Sequence, residues 1–242
     1  APLCTGLLCV AAALASLATG TALAPWLVGT VLAAWVAAGR RWWSVLRHAE
    51  PGATPTRPPL WAAAVVAVIS APALLATRAG AIEWDARSIW WFHAAWFRQG
   101  GTAARAAMNN RAFGFAHPDY PPFAPATEAS MWTLWHDLDR MLAKAVSAHL
   151  TFAAVALLRC LLVRLAPAGR RLSVVSAVVA GAFGLAMFGV GNGNGTSGVV
   201  DLLWAVLLAV GAVALLIAPH DSDVLVVGWV AIAAAGLTKN EA

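Results

Sequence analysis

Charge is what this sequence has least of. Asp, Glu, Lys and Arg together make up 11 % of 242 residues, against about 25 % in a soluble globular domain. The deficit runs along the whole chain, which excludes a cytosolic enzyme, a disordered protein and a nucleic-acid binder. Cysteine is also scarce: Cys4, Cys9 and Cys160 all lie in apolar runs. Cys4 and Cys9 fall on one predicted helix, which argues against a disulfide framework. No Cys/His arrangement has zinc spacing, no Ser-His-Asp set is recognisable, and there is no internal repeat. The opening residues carry no charged n-region, so they do not read as a signal peptide.

What is present is apolar: 61 % hydrophobic residues and a mean hydropathy of +0.73. A bilayer span needs roughly 20 such residues. Residues 3–39 are too long for one span and break near Thr19-Gly20-Thr21 and Pro25, giving two short ones. Further spans are expected at 59–79, 146–165, 173–190, 201–218 and 224–238. The predicted fold is therefore all-α, a polytopic transmembrane bundle of about seven spans. It divides into N-terminal spans over 1–79, an external loop over 80–145, and further spans over 146–242. The net charge of +5 then reports cytoplasmic loops. Arg40, Arg41, Arg47 and Arg57 fall in one such loop, and Arg164, Arg170 and Arg171 in another. The positive-inside rule puts the 80–145 region, the 191–200 loop and the end at 238–242 outside. The chain lacks an initiator Met and stops within Thr238-Lys239-Asn240-Glu241-Ala242, so it reads as the N-terminal fragment of a larger membrane protein.

The 80–145 region holds six of the thirteen Trp. Glu83 to Phe97 reads as a helix with a broad aromatic face, lying in the interface plane. Pro118, Pro121, Pro122 and Pro125 break the middle, and 127–144 reads as a second amphipathic helix. Two surface helices thus flank a proline-rich elbow.

Because charges are few, their positions are informative. Glu83-Trp84-Asp85 sets two carboxylates just outside the third span. Such a pair can share a divalent metal, or one can act as base while the other orients it; equally, the two can cap the helix that follows. His117-Pro118-Asp119-Tyr120-Pro121-Pro122 is a rigid turn bearing donors and acceptors for a polar ligand, or an ordinary surface turn. Asp201, at the same outer level, is a helix cap or a third carboxylate, with Glu83, Asp85 and Asp201 as the candidate metal set. Lys239 closes the last span and either snorkels or neutralises a phosphate leaving group. Gly189-Val190-Gly191-Asn192-Gly193-Asn194-Gly195 mimics a phosphate loop but lacks the flanking strand and helix.

Taken in order, these features resemble the GT-C superfamily of membrane glycosyltransferases, in particular bacterial enzymes akin to dolichyl-phosphate-mannose protein mannosyltransferases and aminoarabinose transferases. The resemblance covers about residues 80–242. It rests on Trp84-Asp85 after an outward span; Trp91, Ala95 and Gly100-Gly101; the His117-to-Pro122 turn with Pro125; Asp201 opening an inward span; and Gly236-Leu237-Thr238-Lys239. It departs in having two extra spans before the usual first one, and in Trp84 separating Glu83 from Asp85. The resemblance implies a multi-pass protein of the bacterial inner membrane with its active face outward and a sugar donor carried on a polyprenyl phosphate. It makes Asp85 catalytic.

The chemistry then expected is an inverting transfer. Asp85, with Glu83 beside it, takes the acceptor proton. Arg87, Lys239 or a divalent metal meets the charge developing on the leaving phosphate. His117, Asp119, Tyr120 and Asp201 complete the substrate site, with the lipid-linked donor and membrane lipid as partners and no nucleic acid. The alternative class is a multi-spanning transporter or flippase. Transporters place ionisable groups near the bilayer midplane, whereas the acids here gather at one surface.

Overall fold

The computed structural model describes residues 2–48, 82–165, 200–219 and 222–239, and among these every regular element is a helix. Helices α1 (Pro2–Thr19) and α2 (Leu23–His48) form the hairpin expected from the Thr19-Gly20-Thr21 break. The Ser16 hydroxyl donates to the Thr21 carbonyl at 2.7 Å and tightens the turn. Pro25 falls in the first turn of α2, where a missing N–H leaves no bond unmade. Contrary to expectation, α2 does not stop at 39. Its backbone stays helical to His48, so Arg40, Arg41 and Arg47 ride on a helix rather than in a loop.

The 82–139 segment is built from short pieces. A π-helical turn (Ala86–Trp90) runs into α3 (Trp91–Gln99), followed by α4 (Gly101–Met108), a 3-10 turn (Arg111–Ala116) and α5 (Phe123–Trp135). The helix expected over Glu83–Phe97 is present, but its aromatic face does not rest on a lipid surface. Trp90, Trp91, Trp96 and Phe97 are buried within the protein. The second surface helix, expected over 127–144, is two helices. His136 takes a left-handed conformation (φ 57°), and the Asp139 carboxylate accepts from the Met141 amide at 2.7 Å to start a new one. α5 is not amphipathic either. Phe123 through Ser130 are all buried, because Ala124, Ala126, Ala129 and Ser130 let neighbouring backbones close in on every side.

This segment is anchored along α1. Gly100 (φ 104°) breaks α3 from α4, and the Gly101 amide donates to the Thr21 carbonyl at 2.8 Å. A Cβ on Gly101 would stand 1.7 Å from the Ser16 carbonyl oxygen, so only glycine fits. At the other end of α1, the Phe123 ring lies against Gly6. The segment therefore runs the length of α1 rather than capping one end of it.

Three longer helices complete the described part: α6 (Arg140–Leu165), α7 (Asp201–Ile217) and α8 (Asp223–Gly236). They lie close to three of the expected spans. Arg140–Leu162 is long and apolar enough to cross a membrane; the apolar stretches Leu3–Thr19, Leu23–Ala34, Asp201–Ile217 and Val224–Gly236 are shorter. The 17 residues of α7 reach about 26 Å at 1.5 Å per residue, under the roughly 30 Å of hydrocarbon. The spans expected at 59–79 and 173–190, with Arg57, Arg170, Arg171 and the Gly189–Gly195 run, lie outside the described residues. Leu161 shares a core with Val210, Ala214 and Ile217 near the ends of α6 and α7, so these two helices run in the same direction. α8 returns beside α7, with Gly211 facing Ile232 at a separation no side chain would allow. The starts of α6 and α7 and the end of α8 consequently share one end of the bundle.

Candidate functional site

Asp85 precedes the π-helical turn. Its side chain is exposed and makes no capping hydrogen bond, although it lies in the first helical turn, where a carboxylate favours the helix dipole. Glu83 is half-buried, and its carbonyl accepts a long 3.4 Å bond from the Arg87 amide. The extra residue of a π turn re-aims the side chains that follow it. Arg87 opens a pocket of about 230 Å³ that Trp91, Phe92, Trp132, Leu138 and Arg140 also line.

The elbow is held by aromatic stacking. Tyr120 lies between Trp90 (centroids 5.4 Å apart) and His117 (4.8 Å). His117 takes a left-handed conformation (φ 50°) as the 3-10 turn ends. Stacking on Trp90 fastens the elbow to the helix that follows Asp85. The far side of the elbow is fastened by the Phe123 amide, which donates to the Leu237 carbonyl at 2.7 Å at the end of α8. Two residues beyond Leu237, the Lys239 ammonium donates to the Asp201 carboxylate at 2.6 Å and lies 5.9 Å from the Trp204 ring centre. Asp201 opens α7 without capping it.

The structure thus joins the predicted residues in two groups. Asp201 and Lys239 meet directly. His117 and Tyr120 stack together and, with exposed Asp119, form the bridge between that pair and the Asp85 helix. Asp85, Asp119, Tyr120, Asp201 and Lys239 do not line the pocket that Arg87 opens. Among the described residues no three His, Cys, Asp or Glu side chains come together to hold a metal ion. Glu83, Asp85 and Asp201 therefore do not fit the shared metal site considered from the sequence.

In the 82–135 segment, two buried ionisable groups escaped the sequence reading. His93 is fully buried and stacks on Trp96 at 4.6 Å, and neither ring nitrogen has a hydrogen-bond partner. Burial pushes its pKa down to about 4, against smaller opposing pulls from the Ala116 carbonyl and Asp119. Glu128 is fully buried between α5 and α6. It accepts from the Ser147 hydroxyl at 2.7 Å on one oxygen, while the other has no partner. Burial pushes this carboxyl up to about 8, outweighing Ser147 and the nearby Trp91 indole, which favour the charged form. The available signal was the run of small residues around Glu128, which marks a tightly enclosed helix rather than a surface one.

No protein-family model, curated protein or solved structure matches this chain.

Proposed function

We propose that the chain is part of a polytopic membrane glycosyltransferase of GT-C type, with about seven spans and its active face outside the bacterial inner membrane. It moves a sugar from a polyprenyl-phosphate donor to an acceptor hydroxyl. The observation that carries this reading is Asp85: an exposed carboxylate that makes no capping hydrogen bond, on a helix that the elbow braces. Asp85 takes the acceptor proton as the acceptor oxygen attacks the anomeric carbon. The bond from that carbon to the phosphate oxygen breaks with inversion, and the phosphate leaves with the electron pair.

Of the two protein cations, Arg87 suits the leaving phosphate better. Lys239 is already engaged by Asp201, whereas Arg87 opens onto a pocket. The Lys239–Asp201 pair instead fixes the floor on which the elbow sits.

The test is Asp85→Asn in the full-length protein, with donor consumption followed in membranes. The variant is nearly isosteric but cannot accept the proton. Transfer should fall about 100- to 10,000-fold while insertion is unchanged. Activity within a few-fold of wild type would remove Asp85 from the chemistry. Single cysteines placed between 100 and 115 should also react with an impermeant thiol reagent from outside, and reversed labelling would overturn the orientation.

A further inference from the structure

Arg87 and Arg140, 53 positions apart, line one pocket of about 230 Å³ with aromatic walls from Trp91, Phe92 and Trp132. Guanidinium groups stay protonated in proteins, and neither of these pairs with a carboxylate among the described residues. Two cations lining one pocket repel each other, although both side chains are exposed and water weakens the repulsion. An anion between them reverses it, and guanidinium forks match phosphate oxygens in a bidentate manner.

Size narrows the choice. The pocket is below the roughly 300 Å³ at which sites enclose a whole drug-sized ligand, so it suits the head of a larger molecule. What lies outside the pocket is apolar. Leu138 both lines it and is 49 % exposed; Leu134 is 65 % exposed, Trp135 68 % and Met141 41 %. Arg140 also begins the helix that is long and apolar enough to cross a bilayer. Tryptophan beside such a helix end belongs at headgroup level. We infer that the Arg87–Arg140 pocket holds the phosphate of an anionic lipid, whose chains stay in the bilayer across the Leu134–Met141 lip. This rests on α6 crossing the membrane; because Arg87 is also the cation assigned to the leaving phosphate, the bound lipid and the sugar donor take the pocket in turn.

The test uses the full chain in mild detergent with dioleoyl phosphatidic acid, dioleoyl phosphatidylcholine or inorganic phosphate, counting retained lipid by native mass spectrometry. Phosphatidic acid should be retained over phosphatidylcholine, and inorganic phosphate in about a hundredfold excess should not displace it. An Arg87→Gln, Arg140→Gln double variant should weaken retention roughly tenfold per guanidinium lost. Should that variant fail to insert, the Arg87→Lys, Arg140→Lys pair keeps both charges and loses only the fork; it should retain lipid several-fold less well. Unchanged retention in the variants, equal retention of phosphatidylcholine, or displacement by inorganic phosphate would each overturn the inference. Lost retention of phosphatidic acid in the wild-type chain with transfer intact would remove this site and leave the transferase reading standing.

Discussion

The end of the α7–α8 hairpin and the 82–135 segment treat ionisable groups in opposite ways. At the hairpin end, Lys239 and Asp201 stand 2.6 Å apart with the Asp201 side chain 51 % exposed, so each charge has a partner and water nearby. In the 82–135 segment, Glu128 and His93 are sealed from solvent with polar atoms unpartnered. Leaving a buried polar atom unpaired costs about 1–3 kcal/mol, and a bare charge more. Both groups respond by shedding charge, Glu128 with its pKa near 8 and His93 near 4. A charge persists where a partner and water reach it. Where neither does, the group becomes neutral, Glu128 by keeping a proton and His93 by giving one up.

The contrast is broken most severely by prying the 82–135 segment from α1. Gly101→Val drives a side chain into the Ser16 carbonyl, with no flexible neighbour to yield. We expect a loss of more than about 4 kcal/mol, read as absence of a cooperative thermal transition in detergent. A transition near that of wild type would mean that the seat is not structural.

The pH dependence of stability sharpens the contrast. Glu128 holds its proton to about 8 when folded and to 4.5 when unfolded. The folded chain binds the extra proton across that window, so stability falls as pH rises. His93 works the other way: its pKa is 6.5 unfolded and about 4 folded, so stability rises with pH between those values. The two slopes cancel from about pH 4.5 to 6.5. From there to about 8 the folding equilibrium should weaken by up to about tenfold per pH unit. Glu128→Gln should abolish that decline, and a decline of the same slope in the variant would assign it elsewhere.

His93→Phe is milder. Phenylalanine keeps the stack on Trp96 and removes two unpartnered nitrogens, so stability at neutral pH should hold or rise by about 1 kcal/mol. The variant should also expose the Glu128 slope below pH 6.5. A clear loss of stability would show that the imidazole has a partner after all. The smallest effect is expected at the paired end. Asp201→Asn should cost about 0–1 kcal/mol and less at high salt, since the carboxylate is half-exposed. A cost above about 3 kcal/mol would make that pair behave like the buried groups.

The sequence announced the paired end and concealed the sealed one. Counting apolar runs and basic loops put Asp201 and Lys239 at one level, because crossings have parity and a helix end has a fixed side. The break at Thr19-Gly20-Thr21 and the starts of α7 and α8 were legible for the same reason. Glu128 was not, because an acid in a helix adjoining a proline-rich turn looks solvated. Its burial depends on α1 and α6 closing over the small residues of α5, a tertiary fact with little local trace. The aromatic face of α3 misled similarly: tryptophans suited to a membrane surface also suit a protein interior, and α5 supplies that interior.

The hydrogen bond from Phe123 to Leu237 also sets an order of events. Its donor leaves the ribosome 114 residues before its acceptor, the difference between positions 123 and 237. At about 5–20 residues per second, that interval is roughly 6 to 23 seconds. Throughout it, the first turn of α5 lacks its partner and the elbow has no floor. The 82–135 segment is thus translated early and finished late. A ribosome stalled before position 237 holds a chain that already carries Asp85 and Arg87 but has not yet assembled the surroundings in which they would act.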